Sequence, residues 1–129
     1  MDRVIADSDV LIDFAAGEGA ARQVRELVSR RSLSTTAINL FELLRGCRSE
    51  SERQRMREVL RGVSVYPVSA LAARRAAEVD VELARRGAGI GERDTLVAGV
   101  ALATGLPLLT ANLEHFRRVE GLRVLKARR

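Results

Sequence analysis

A chain of 129 residues, 47% apolar and 30% charged, can bury one core and is too apolar to be disordered, so a single domain over 1–129 is expected. The formal charge of +5 is almost all arginine, Lys126 being the sole lysine, which suits phosphate or an acidic partner as well as it suits a solvated basic surface. Glycines 99 and 105 and Pro107 break the charge-free run Thr95 to Asn112, Asp7 and Asp9 fall where a secretory leader would be apolar, and Cys47 has no partner cysteine, so neither a membrane span nor export is expected and the setting is cytoplasmic and reducing.

The first element, Arg3 to Ala6, is a continuous apolar run and reads as a short buried strand. Asp9 to Ala16 follows as a helix capped by Ser8 or Asp9 and ended near Gly17. Gly19 to Arg31 places Ala20, Val24, Leu27 and Val28 on one helical face. "LSTTAI" is β-prone, and Thr35 or Thr36 can cap the helix "INLFELLRGC". "ESERQRMREVLRG" is a charged amphipathic helix stopped by Gly62, and "VSVYPV" a strand ending at Pro67. Ser69 to Arg86 is a long Ala-rich helix closed by Gly87. Glu92 to Thr104 is apolar on nearly every side, the pattern of a helix packed inside the protein. "LPLLT" reads as a strand, "ANLEHFRRVEG" as a polar turn and "LRVL" as the last strand. Strands alternating with helices predict an α/β fold with a mostly parallel sheet and helices on both faces.

Sites in such folds lie beyond the carboxyl ends of strands. Asp7 ends the first strand, and Asn112 comes just after the strand that stops at Thr110. Glu42 interrupts "INLFELL" at a seam between apolar and polar faces, and Asp94 lies in the first turn of the buried helix. Each has an ordinary alternative: a turn residue for Asp7 and Asn112, a partner for Arg45 in the case of Glu42, a helix-start acid in the case of Asp94. Asp9 reads as a cap or a supporting group, and Asp13 as plain surface. His115 lies three residues from Asn112 with no partner visible in the sequence, so it is left out of the site, and Arg45 is assigned no role.

Should the sheet gather Asp7, Glu42 and Asp94 at one edge, three carboxylates would repel one another unless a cation neutralised them. An all-oxygen donor set without a Cys or His pair suits a hard cation, Mg²⁺ or Mn²⁺. Such an ion binds phosphate oxygens and activates water, which fits a phosphodiester substrate for an Arg-rich protein.

Four stretches in order, "IADSDVLID", "TTAINLFELLRG", "IGERDTLVAGVALATG" and "LLTANLEHFRRVEGLRVL", resemble the signature blocks of PIN-domain ribonucleases. More narrowly, they resemble the VapC toxins of bacterial and archaeal toxin–antitoxin pairs. The resemblance runs over nearly the whole chain. It implies a PIN-like three-layer α/β/α sandwich around a mostly parallel sheet of four to five strands. It also implies a Mg²⁺- or Mn²⁺-dependent endoribonuclease with Asp7, Glu42 and Asp94 as metal ligands. Ser8 stands where the family often has Thr or Ser. The fourth acidic position falls at Asn112, whose amide can orient water but adds no charge, so one-metal catalysis is expected. The implied partners are an RNA substrate, a VapB-type antitoxin whose helix lies in an apolar groove, and a second copy in a homodimer. Operator DNA would be bound only through the antitoxin. Val24, Leu27, Val28 and Leu60 are the groove candidates unless they face the sheet instead.

Two other readings compete. A haloacid-dehalogenase-like phosphatase would use Asp7 and Asp9 as its acidic pair. It also requires a lysine and a late acidic cluster, whereas Lys126 is near the terminus and only Glu114 and Glu120 follow Asp94. The second is a PIN-like scaffold that binds RNA or protein without cutting, which Asn112 favours.

Overall fold

The computed structural model describes residues 3–128, so Met1, Asp2 and Arg129 of the expected 1–129 domain lie outside the described residues. The strands are β1 (Val4–Ala6), β2 (Leu33–Thr36), β3 (Ser64–Tyr66), β4 (Leu108–Thr110) and β5 (Val124–Lys126). They form one sheet in the order β3-β2-β1-β4-β5, and every neighbouring pair is parallel. The helices are α1 (Ser8–Ala16), α2 (Ala21–Ser29), α3 (Ala37–Arg45), α4 (Glu50–Leu60), α5 (Ala70–Arg85), α6 (Glu92–Thr104) and α7 (Leu113–Phe116).

Successive residues of a strand point to opposite faces, and here both faces are covered. Val4, Ala6 and Leu109 pack with Val10, Leu11, Val24, Leu43 and Met56 on one side, under α1, α2 and α4. Ile5 and Leu108 pack with Ala72, Leu83, Val97 and Phe116 on the other, under α5, α6 and α7. The result is a three-layer α/β/α sandwich, with a continuous apolar central strand as burial on two faces requires.

Local differences from the expected elements have local causes. Asp7, not Ser8 or Asp9, is the N-cap of α1: it holds extended backbone and its carboxylate accepts from the Ser8 N–H. Ile38 belongs to α3 rather than to β2, because Thr36 is extended and accepts the Asn39 N–H through its hydroxyl. The turn expected over "ANLEHF" contains the helical turn α7, anchored by the fully buried Phe116. Asp13 is not plain surface, since its Oδ2 accepts the Ala20 N–H at 3.1 Å and so braces the link from α1 to α2. Val24 is fully buried, and Leu27, Val28 and Leu60 pack, partly buried, against the same core, with Leu27 also lining a small pocket beside Val4 and Leu109.

The most extensive helix pairing among the described residues is α5 against α6, and Gly99 permits their close approach. A Cβ at residue 99 would run into the Ala72 carbonyl oxygen and lie 2.7 Å from Ala76 Cβ. Gly99→Ala should therefore destabilise the protein by about 1–3 kcal/mol, as overpacking does, although the same change on an open helix face stabilises by up to about 1 kcal/mol. Urea unfolding measures this, and an unchanged or raised midpoint would show that the two helices separate without cost.

Candidate active site

In the strand order, the chain leaves β1 toward β2 on one side and returns to β4 on the other. A crevice opens where connections diverge in this way, beyond the carboxyl ends of the two middle strands. Asp7 occupies that point, one residue past β1, with its N–H bonded to Leu109 O of β4 at 2.9 Å. Its side chain is only 4% exposed as a residue yet fully provided with donors. Oδ1 accepts from the Ser8 N–H at 2.9 Å and from Asn39 Nδ2 at 3.0 Å, and Oδ2 accepts from the Thr110 hydroxyl at 2.9 Å.

Helix α3 brings the second acid. The Thr36 cap starts the helix directly at the end of β2, beside β1, so Asn39 and Glu42, one turn apart, face the crevice. Asn39 is completely buried. It accepts from the Thr36 hydroxyl at 2.7 Å and donates to both Asp7 and Ser8, the latter at 2.9 Å. Ser8 in turn donates to Glu42 Oε1 at 3.0 Å.

The first turn of α6 supplies the remainder. Asp94 is buried, and Arg93 reaches across the crevice to all three acids. Its Nη2 donates to Asp7 Oδ1 at 2.9 Å, its Nε to Glu42 Oε1 at 2.6 Å, and its Nη1 to Asp94 Oδ1. Burial alone would lower the pKa of this guanidinium. The charge of Asp7 and hydrogen bonds to Asp7, Asp94 and Glu42 outweigh burial and raise it above the ordinary arginine value. Asp94 turns its other oxygen, Oδ2, to His115 Nδ1 at 2.8 Å.

The structure thus brings Asp7, Glu42 and Asp94 together. Asn112 stands beside them, joined through its main chain: its N–H donates to Thr110 Oγ1 at 3.0 Å, and its amide makes no capping bond to α7. His115, left out of the site by sequence, contacts Asp94 and belongs to it. Arg93, Asn39 and Thr110 were not singled out either. Arg93 did leave one sign, since a cation in the first turn of a helix opposes the helix dipole. Glu42 does not pair with Arg45, whose guanidinium lies 4.9 Å over the Phe41 ring. Asp9 is a support, its Oδ2 accepting from the Ala111 N–H at 3.0 Å and so tying α1 to the segment after β4.

Three carboxylates of this kind are the hard oxygen donors that Mg²⁺ and Mn²⁺ favour, so the donor set fits such an ion in chemistry. One oxygen of each is turned onto the guanidinium. Among the described residues no three Asp, Glu, His or Cys side chains lie close enough about one point to hold an ion as they stand.

Asn39 keeps the carboxylates apart by neutral donors. Asn39→Ala should lower stability by about 1–3 kcal/mol, the cost of leaving buried groups unpaired. Asn39→Asp should cost more, because it sets a further carboxylate against Asp7. Urea denaturation of both variants checks the order, and equal losses would mean that negative charge around Asp7 is not the limiting factor.

A PIN-domain family profile matches residues 4–122. Ribonuclease VapC10 of Mycobacterium tuberculosis is 35% identical over 123 residues, covering 93% of this chain and 90% of that protein. The tRNA(fMet)-specific endonuclease VapC of Shigella flexneri is 28% identical over 127 residues, 95% of this chain and 96% of that one. Among solved structures, DNA-bound VapBC from Salmonella typhimurium matches with a TM-score of 0.81 at 25% identity, covering 98% of each chain. VapBC2 from Rickettsia felis, bound to a promoter fragment, shares the fold with a TM-score of 0.86 at 22% identity, over 95% of this chain and 97% of that one. With the acids set at the carboxyl edge of β1 and a match of this extent, the chain belongs to the PIN-domain family, among the VapC ribonucleases.

Proposed function

We propose that the protein is a divalent-metal-dependent endoribonuclease and the toxin of a toxin–antitoxin pair. The observation that carries this reading is the convergence of Asp7, Glu42 and Asp94 at one crevice from elements far apart in the chain. Asp7 and Asp94, both buried, are the residues that would hold Mg²⁺ or Mn²⁺, with Glu42 completing the set. An ion held by these residues would supply a Lewis acid for a phosphodiester oxygen and for an attacking water.

The chain's own groups do the positioning. Asn39, Ser8 and Thr110 fix the rotamer of Asp7 through neutral donors, which leaves its charge available to a cation. His115 pins one oxygen of Asp94 and directs the other into the crevice. Asn112, at the mouth beside Thr110, contributes an uncharged amide at the fourth position of the quartet, where it orients water or substrate, so one metal suffices.

The reading extends to partners. A groove of about 330 Å³ between α1, α3 and α4 has a floor of Ile12, Ala15, Leu43, Cys47 and Met56 and a charged rim of Glu42, Glu52 and Arg55. An apolar helix of a VapB-type antitoxin fits this groove in the helix-in-groove mode, and its proximity to Glu42 would let it block the crevice. The protein works in the cytoplasm as a homodimer and meets operator DNA only through the antitoxin. No helix among the described residues is long and apolar enough to cross a membrane.

Purified protein should cleave single-stranded RNA with Mg²⁺ or Mn²⁺ and stop when EDTA is added. Asp7→Asn should lower cleavage by on the order of a hundredfold or more. Gel analysis of end-labelled RNA decides the matter. Equal cleavage by wild type and Asp7→Asn, or cleavage indifferent to EDTA, would reject this reading in favour of a binding scaffold.

A further inference from the structure

One guanidinium satisfies all three carboxylates of the crevice. Arg93 gives Nη2 to Asp7, Nε to Glu42 and Nη1 to Asp94, and Nη2 also lies 3.2 Å from the Ser8 hydroxyl. Two features set this apart from an ordinary structural ion pair. Arg93 is in the first turn of α6, where the helix dipole disfavours a cation, so the acids alone account for its inward position. Its side chain is also one-third exposed, unlike Asp7 and Asp94, at 5% and 7%. The acids are fixed by the fold, whereas the arginine side chain is partly open to solvent.

Three carboxylates against one guanidinium leave an excess of negative charge, so the crevice still attracts a further cation. Arg93 holds one oxygen of each acid, and Thr110 and His115 engage Asp7 Oδ2 and Asp94 Oδ2, so an ion bridging the three acids would compete with the guanidinium for Asp7 Oδ1, Glu42 Oε1 and Asp94 Oδ1.

We infer that Arg93 and a divalent cation are alternative occupants of the crevice. Arg93 is the chain's own displaceable counter-ion, and metal loads only as the guanidinium is expelled. This rests on the cation reading of the function. It makes Arg93 a regulator of metal loading that keeps the acidic cluster partly neutralised and folded while no metal is bound. The observed affinity for metal is then the intrinsic affinity reduced by the small fraction of molecules in which Arg93 is withdrawn.

Calorimetric titration of the full chain with Mn²⁺ tests this, with Asp7→Asn as the background. Arg93→Gln should bind Mn²⁺ roughly tenfold more tightly than wild type, or better. In EDTA it should melt at a lower temperature than wild type, and it should gain more from added Mn²⁺. Arg93→Lys keeps the charge but loses the fork that spans three acids, so it should bind with intermediate affinity. It also carries the test if Arg93→Gln fails to fold without metal. Equal or weaker Mn²⁺ binding by both variants overturns the inference and leaves the cation reading standing. Binding no stronger than the Asp7→Asn background in wild type and variants alike overturns both.

Discussion

Repulsion among three carboxylates held at one sheet edge is the constraint around which this protein is built. Asp7 and Asp94 are buried, and burying a charge costs several kcal/mol unless partners are in place. The surrounding residues meet that cost in two ways. Neutral donors, Asn39, Ser8 and Thr110, surround Asp7 without altering its charge, and Arg93 supplies the opposite charge to all three acids together. Even the buried polar residues of β2 conform to this need. Ser34 and Thr35 donate to β1 carbonyl oxygens, and Thr36 starts the helix that carries Glu42. The polar end of the sheet is therefore a continuous hydrogen-bonded seam leading into the crevice.

Two cores of different character support that seam. On the α5–α6 side, small residues let helices approach closely, with Gly99 against Ala72 and Ala76, so α6 is held tightly and its first turn is delivered to the crevice in a fixed place. On the α1–α4 side, larger residues such as Leu11, Leu43 and Met56 fill the space, and the groove beside them remains open. The acids sit where these two packings meet, which gives the site one rigid wall and one wall next to an accessible apolar surface.

Much of this was legible in the sequence, for identifiable reasons. The apolar run to Ala6, the abrupt Asp7 and the nearly all-apolar 96–102 segment are local patterns, and they locate the central strand and the inner helix without any tertiary information. The blocks around Asp7, Glu42 and Asp94 carried the resemblance to the PIN family. What stayed hidden depends on contacts between distant residues. Arg93 meets Asp7 across 86 positions and Glu42 across 51, and His115 meets Asp94 across 21. No periodicity encodes such distances. Asp13 was misjudged and the Val24 face was left open for a related reason: which side of an amphipathic helix meets the sheet, and which loop a carboxylate braces, are set by packing.

The strand order has a consequence for how the molecule is made. With β1 in the middle of the sheet, one of its edges is covered only when β4 is added, and β2, β3 and six helices separate the two in sequence. Thr110, the second support of Asp7, and His115, the support of Asp94, arrive with that segment. A chain emerging from the ribosome therefore presents Asp7 long before β4 and α7 and cannot complete the crevice until both have followed. Such long-range closure is also the slow part of folding. The order of synthesis thus withholds a finished acidic site until the fold that restrains it is complete.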